Sequence, residues 1–203
     1  GDSQPAASSL EQSFLTNYSA KWAGQALETL VEVYARLGSD LDLQRLDDLI
    51  RQNPQSPIPY FSRGLAYSQL ERFEQAVLDF DKSKALGLGN AEVFAARGNA
   101  YAALGNLATA GKDLRNAISA EPQNARFRAY LGVLYRHRDP EEAMRVLDKA
   151  ISLDPNYAPA YNYRGLLFID LGQHQKALQD LDKAIALDPL LPHAHLSKGE
   201  AHL

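Results

Sequence analysis

One spacing along the chain constrains its fold more than its composition does. Five glycines recur at intervals of 34, 34, 33 and 34 residues: Gly64, Gly98, Gly132, Gly165 and Gly199. A ring follows most of these glycines after three residues, and alanines recur further on with the same interval. Fixed periods of this length are typical of proteins whose small units bury their apolar faces against one another. We therefore predict a stack of similar units.

Each unit contains two apolar patterns of helical period. In the copy at 158–191, Tyr161 and Phe168 fall on one face of a first helix, and a second apolar stripe begins at Ala177. Gly172 lies between the two patterns, where a left-handed residue would end the first helix. Each copy is therefore predicted to be a helix–turn–helix hairpin, and the fold class to be all-α.

The recurring residues of these copies resemble the tetratricopeptide repeat. In the copy at 158–191 the pattern of two rings around a glycine, two spaced alanines and a closing proline consists of Tyr161, Gly165, Phe168, Ala177, Ala184 and Pro189. The resemblance extends over about 57–203. It implies a right-handed superhelical solenoid of antiparallel helix-turn-helix repeats, whose concave wall is lined by the first helices.

The repeat register predicts the organisation of the whole chain. Residues 1–9 are predicted to be a flexible leader, 10–22 an N-terminal amphipathic capping helix and 23–203 the solenoid. The copies within the solenoid are 23–56, which is degenerate, 57–90, 91–124, 125–157, 158–191 and the partial copy 192–203. The leader is interpreted either as a disordered terminus or cloning remnant, or as the tether of a lipid-anchored protein. The second interpretation favours a bacterial periplasm or envelope over the cytoplasm.

The copy at 125–157 is one residue shorter than its neighbours. The missing residue falls between Tyr135 and Ala143, in the turn of the hairpin. Asp139 can cap the second helix, and Pro140 can occupy its first position, where a missing N–H does no harm. We therefore expect this hairpin to keep its fold.

The composition excludes several classes of site. The net charge of −4 arises from interspersed acidic and basic residues, which gives no basic surface for nucleic acid or for an anionic membrane. The absence of cysteine removes disulfides, thiolate zinc sites and cysteine nucleophiles. No apolar run is long enough to insert directly into a membrane. We expect no metal and no cofactor.

Charged residues recur beside the glycines. The cations Arg63, Arg97 and Arg164 each precede a glycine, and an aspartate follows each of them after 16 residues: Asp79, Asp113 and Asp180. In the copy at 125–157 these two places hold Leu131 and Val146, so both charges are missing together. Joint loss is what a paired interaction predicts. We interpret the residues as ion pairs within each repeat, with an anion-binding or catalytic arginine ladder as the alternative.

The glycines themselves indicate a close approach of the two helices in each hairpin. From the family resemblance we expect each glycine to face the small alanine of the second helix, as Gly165 would face Ala177. The other expected contacts are Gly64 with Ala76, Gly98 with Ala110 and Gly132 with Ala143.

The sequence gives little support for a metal site or for a pair of catalytic carboxylates. The clustered histidines include His195 and His202, whose separation on one helix face is too large for them to share a metal ion without a third ligand. Asp180 and Asp182 lie two residues apart, as do Asp79 and Asp81, so the side chains of each pair point in different directions. We interpret one aspartate of each pair as an ion-pair partner and the other as a solvated charge. No catalytic residues are predicted, and the protein is not expected to be an enzyme.

The resemblance also implies a ligand-binding groove. In similar proteins the groove is lined by the second, fifth, ninth, twelfth and thirteenth places of each copy. The candidates at such places are Phe61, Leu65, Gln69, Asn99, Arg126, Val133, Arg136, His137, Asn162, Leu166 and Ile169. They predict two apolar spots separated by positive charge, which would suit a protein ligand with apolar anchors and an acidic residue. The fifth places hold no lysine, so the carboxylate clamp for chaperone tails is not expected.

These features favour a non-catalytic adaptor that binds a peptide or helix of a partner protein, which could serve the assembly of a bacterial cell envelope. One alternative is a substrate-recruiting or regulatory arm of a larger enzyme. Another is a scaffold that self-associates through the unpaired helix at 192–203. In a further alternative, residues 10–22 occupy the groove as an internal ligand.

Overall fold

The computed structural model describes residues 40–191 and 194–201. The predicted leader, the predicted capping helix and the start of the degenerate copy lie outside these residues. The described part of the chain forms ten α-helices and contains no β-strand. The helices are α1 Asp40–Gln52, α2 Pro57–Gln69, α3 Phe73–Ala85, α4 Ala91–Ala103, α5 Leu107–Ala120, α6 Ala125–Tyr135, α7 Pro140–Leu153, α8 Ala158–Asp170, α9 His174–Leu187 and α10 Ala194–Glu200.

Two compact units divide the chain, Gly1–Asp113 (unit 1) and Leu114–Leu203 (unit 2). In unit 1, α2 packs against α1, α3 and α4, and its core includes Leu46, Phe61 and Phe80. In unit 2, α6 pairs with α7 and α8 pairs with α9. Helix α8 also contacts α6, α7 and α10, so the first helices of successive hairpins adjoin one another within this unit.

Local residues explain where several helices begin and end. The side chains of Asn90 and Asn124 accept hydrogen bonds from backbone N–H groups in the first turns of α4 and α6. Asp139 caps α7 in the same way and Pro140 follows it, as predicted for the shortened copy. Gly172 has a φ of 68° after α8, the left-handed conformation expected at this turn.

The close approach at the glycines differs from the expectation. A Cβ atom added to Gly64 would lie 2.6 Å from Cε1 of Phe80, and one added to Gly165 would lie 2.9 Å from Cγ of Leu181. These neighbours are large residues one helical turn beyond the expected alanines. Near Gly165, Ala177 contributes only its carbonyl oxygen, 3.4 Å from the added atom. The space that a Cβ would fill is therefore occupied by a large core side chain.

Candidate functional site

Three arginines hold the predicted aspartates in bidentate ion pairs. Arg63 donates to Asp79 through Nε and Nη2 at 2.7 and 2.8 Å, and Arg164 donates to Asp180 at the same two distances. Arg97 donates to Asp113 at 2.7 and 2.9 Å. All three aspartates are buried. Each pair joins the two helices of one repeat, because the partners lie 16 residues apart on antiparallel helices.

The same arginines also bind a second carboxylate, from the preceding helix. Nη1 of Arg63 donates to Asp47 at 2.6 Å, and Nη1 of Arg164 donates to Asp148 at 2.7 Å. Nη1 of Arg97 donates to Asp81. Each of these aspartates lies 16 residues before its arginine. The guanidinium groups therefore link successive repeats, and we call the whole series the ion-pair ladder.

The second set of contacts corrects the interpretation of the paired aspartates. Asp182, expected to be a solvated charge, lies 2.6 Å from Nζ of Lys198 in the next copy. Asp81 likewise serves Arg97 of the next copy. Two aspartates two places apart thus point to different repeats. The sequence carried a signal for this role, since an aspartate stands 16 residues before each cation of the ladder.

Aromatic rings flank each arginine of the ladder. The guanidinium carbon of Arg164 lies 5.8 Å from the ring centre of Tyr161 and 5.9 Å from that of Phe168. Arg63 and Arg97 have equivalent pairs of rings within 6.0 Å. The hydrogen bond to Asp180 is the main cause that raises the pKa of Arg164. The hydrogen bonds and ring contacts indicate that the arginines have a structural role and do not favour a catalytic one.

Burial acts on the carboxyl side of the ladder as well. It raises the pKa of Asp79, and the hydrogen bonds from Arg63 oppose that rise. The cost of removing the carboxylate from water thus offsets part of the stabilisation that the bidentate ion pair gives to the fold.

The copy at 125–157 lacks the ladder. Leu131 and Val146 stand at the places of the arginine and of its own aspartate, and both are buried. Arg115 stands at the place of the aspartate from the preceding helix and donates to the Tyr135 hydroxyl at 2.8 Å. We call one arginine with its two aspartates a rung of the ladder. In this copy all three residues of the rung are replaced together.

The histidines do not form a metal site within the described residues. No group of three or more histidine, aspartate or glutamate side chains comes together there in a way that could hold an ion. A ring nitrogen of His195 lies 3.2 Å from the carbonyl oxygen of Pro189. The hydroxyl of Tyr161 donates to Pro155 at the same distance, in the equivalent place. His195 therefore takes the place of a recurring structural donor, while His202 lies outside the described residues.

In unit 1 the predicted groove residues separate into two groups. Phe61 is 0% exposed, and its ring centre lies 5.7 Å from that of Phe80. This corrects its assignment to the groove, because the ring is part of the hairpin core. Leu65 is half-buried, and Gln69 and Asn99 are exposed.

In unit 2 the predicted residues lie on α6 and α8 or directly after α6. Val133 is 41% exposed, Leu166 and Ile169 are half-buried, and His137 is exposed. Leu196 on α10 is 63% exposed and occupies the fifth place of the partial copy. Sequence reasoning missed it, although the repeat register includes it. We define the unit 2 face as Val133, Arg136, His137, Asn162, Leu166, Ile169, Asp170 and Leu196.

The positive charge of Arg136 on this face is neutralised by a carboxylate. Arg136 donates to Asp170 through Nε at 2.5 Å and through Nη2 at 2.6 Å. Nδ1 of His137 lies 3.4 Å from the same carboxylate. Asp170 stands at a groove place of the next copy but was not among the candidates. Arg126, the other predicted cation, is half-buried with its guanidinium 5.2 Å from the ring centre of Phe127.

Asn162 is the candidate whose environment is least expected. It is 4% exposed, and its Oδ1 has no hydrogen-bond partner in the structure. A buried acceptor without a donor costs roughly 1–3 kcal/mol. The unit 2 face therefore combines exposed aliphatic side chains, one neutral ion pair and one unsatisfied carboxamide oxygen.

Membrane insertion has no support among the helices of the described residues, none of which is long and apolar enough to cross a bilayer.

Comparison with solved structures identifies the fold. The segment of MamA from Desulfovibrio magneticus RS-1 that runs from residue 41 to its end is 21% identical with a TM-score of 0.62, and the match covers 95% of this chain and 98% of that one. YrrB, described as a tetratricopeptide repeat protein with an unusual peptide-binding site, is 22% identical with a TM-score of 0.58, over 95% and 99% of the two chains. The predicted all-α fold class of repeated hairpins is confirmed.

Comparison of sequences gives the family. Human tetratricopeptide repeat protein 13 is 26% identical over an alignment of 159 residues, which covers 74% of this chain and 18% of that protein. The chain thus spans less than a fifth of that relative. Three models described as tetratricopeptide repeat match residues 59–86, 95–158 and 158–189. The chain belongs to the tetratricopeptide repeat family.

Proposed function

We propose that this protein is a non-catalytic scaffold that holds a peptide or helix of a partner protein against the unit 2 face. The observation that carries the proposal is the exposure of Val133 on α6 and of Leu196 on α10, two first helices that both contact α8. An apolar surface left exposed along successive first helices is typical of a docking site.

Asn162 adds a polar element to the proposal. A ligand N–H would remove the cost of its unsatisfied Oδ1 only in a conformation that exposes this side chain, which is 4% exposed in the structure. The similarity to YrrB, a protein described as having a peptide-binding site, supports the same class of ligand.

The other functional hypotheses stay predictions. A role in a bacterial cell envelope rests on the first nine residues, which lie outside the described part of the chain. Self-association was predicted through the helix at 192–203, and in the structure α10 packs against α8 and α9. The arm of a larger enzyme and the internal ligand at 10–22 have no further observation in their favour.

A capture experiment with matched variants tests the proposal. The face variant carries Val133→Asp and Leu196→Asp, and the control carries Leu171→Asp and Leu190→Asp. The control residues are also exposed aliphatics of unit 2, but they lie in turns outside the face. Proteins captured from a lysate are identified by mass spectrometry, and their segments are synthesised as peptides for calorimetry.

We expect one such peptide to bind the wild type and the control equally, and to bind the face variant about tenfold more weakly or worse, a loss of about 1.4 kcal/mol. Equal affinity for the face variant and the control would remove the unit 2 face from the proposal.

A further inference from the structure

From the charge balance of the unit 2 face, we propose that it selects uncharged peptide segments with aliphatic side chains and rejects segments with an acidic residue at the anchor position. This inference rests on the proposed function and specifies its ligand. It also reverses the sequence-based expectation of an acidic ligand residue.

The ion pair on the face decides the preference against acidic ligands. Both carboxylate oxygens of Asp170 accept hydrogen bonds from Arg136. A ligand carboxylate beside Arg136 would have to compete with this bidentate pair and would lie next to the like charge of Asp170. Without a cation of its own, the ligand carboxylate would lose more free energy through desolvation than it gained from its attraction to Arg136.

A basic ligand residue gains little from the same site. The carboxylate of Asp170 is already engaged by Arg136, and Nδ1 of His137 lies 3.4 Å from it. A ligand cation would meet the positive charge of Arg136. The face therefore offers a charge-neutral surface to a ligand of either sign.

Contact between aliphatic side chains is the remaining favourable contribution to ligand binding. Val133 and Leu196 are the exposed apolar members of the face, and Leu166 is half-buried on the helix that contacts both of theirs. Burial of such side chains against a ligand contributes roughly 25 cal/mol for each Å² removed from water. An aliphatic anchor gains this term without disturbing the ion pair.

A selection from a random peptide library displayed on phage tests the inference. The immobilised wild type should enrich peptides rich in leucine, isoleucine, valine and methionine, with aspartate and glutamate depleted relative to the input library. A synthetic peptide of an enriched sequence is then compared with its variant in which the central aliphatic residue is glutamate. We expect the glutamate peptide to bind about tenfold more weakly or worse.

Asp170→Asn gives the sharpest arm of the test, because it removes the counter-charge of Arg136. This variant should recover binding of the glutamate peptide. Glu141→Gln is the matched control, since it also removes one negative charge from an exposed place in unit 2 but lies outside the face. If Asp170→Asn does not fold, the two peptides measured against the wild type still decide the question.

The outcomes separate the two proposals. Acidic peptides enriched by the wild type, equal affinity of the two peptides, or equal behaviour of Asp170→Asn and Glu141→Gln would overturn the charge preference and leave peptide binding intact. No enrichment at all, or enriched peptides that bind the variant with Val133→Asp and Leu196→Asp as well as the wild type, would overturn the proposed function too.

Discussion

Two hairpins of unit 2 have the same architecture, but different side chains connect the two helices within each hairpin. The α8–α9 hairpin carries the pair of Arg164 and Asp180, whereas the α6–α7 hairpin carries Leu131 and Val146 at the same places. Both hairpins pack a glycine of the first helix against a leucine of the second. The comparison teaches that the glycine contact accompanies the hairpin in both cases, while the charged pair does not.

The charged rung therefore contributes something other than hairpin formation. A buried ion pair loses much of its Coulomb attraction to desolvation, and apolar residues of similar volume often replace it without loss of stability. Arg164, however, also binds Asp148 of the preceding helix. Such a rung requires carboxylates at two defined distances along the chain, whereas an apolar rung accepts any apolar neighbour of suitable size. We infer that the ladder specifies which surfaces stack.

The largest effect on stability is expected from a variant that removes only one partner of the buried ion pair. Arg164→Leu leaves the carboxylate of Asp180, which is 7% exposed, without its cation. We expect the free energy of unfolding to fall by about 3–5 kcal/mol, the usual cost of an uncompensated buried charge. Urea unfolding followed by circular dichroism measures the change.

Arg51→Leu is the control for this prediction. It breaks an ion pair with Asp48 whose side chains are 74% and 61% exposed, and it should cost less than about 1 kcal/mol. Equal losses in the two variants would show that the buried rung has no special weight.

Two buried tyrosines, Tyr157 directly before α8 and Tyr163 on α8, make the stability of this region depend on pH. Burial raises the pKa of Tyr163 to about 12 and also raises the pKa of Tyr157. A folded-state pKa above the unfolded value of about 10 stabilises the fold below that pH, and the contribution is lost as the pH rises toward about 12. The free energy of unfolding should therefore fall in this window, on the order of 2 kcal/mol for Tyr163.

The Tyr163→Phe variant tests the alkaline effect. It should lose less stability than the wild type between about pH 10 and pH 12, because it has no phenol to ionise at this place. Tyr161→Phe is the control for loss of a hydroxyl, here one that donates to Pro155. The assignment fails if Tyr163→Phe and the wild type lose stability in parallel over the whole window.

The glycine contacts should differ between the two hairpins. A Cβ added at Gly132 would lie 2.5 Å from Cγ of Leu147, against 2.9 Å between the equivalent atoms at Gly165 and Leu181. Overpacking costs roughly 1–3 kcal/mol, and alanine returns about 1 kcal/mol of helix propensity. We expect Gly132→Ala to destabilise by about 1–2 kcal/mol net and Gly165→Ala by less.

Gly199→Ala is the control for the propensity term alone. An added Cβ at Gly199 meets no atom within 4 Å, so this variant should be neutral or slightly stabilised. Thermal unfolding ranks the three variants. A ranking in which Gly165→Ala is the most damaging would contradict the tighter packing assigned to the α6–α7 hairpin.

The sequence predicts the fold well because the repeated contacts depend on side-chain size at fixed spacing. The copies from 57 to 191 each comprise two helices, and the sequence alone shows the joint loss of charge at Leu131 and Val146. The second set of carboxylates could have been read from the same spacing, since Asp148 stands 16 residues before Arg164. Regular contacts within and between repeats are therefore accessible to sequence reasoning.

The candidate site was harder to predict, because places in a repeat do not fix burial or pairing. Phe61 occupies a groove place but lies in the core, where its ring packs beside that of Phe80. The sequence predicts a free cation at Arg136, but Asp170, 34 residues later, neutralises it. Both outcomes depend on side-chain conformations and on neighbours from other helices, which the repeat register does not contain.

The smallest effect is expected from copying the apolar rung into the charged one. The double variant Arg164→Leu and Asp180→Val places the residues of the α6–α7 hairpin in the α8–α9 hairpin and leaves no buried charge unpaired. We expect it to lose less than about 1.5 kcal/mol, well below the loss in Arg164→Leu alone. Asp148, whose side chain is 55% exposed, stays solvated in this variant. Urea unfolding of the wild type, the two single variants and the double variant completes a double-mutant cycle, which isolates the coupling of the two residues. If the double variant is as unstable as Arg164→Leu alone, the ion pair itself stabilises the hairpin. A recovery of stability would instead support a ladder that selects neighbours for hairpins that form without it.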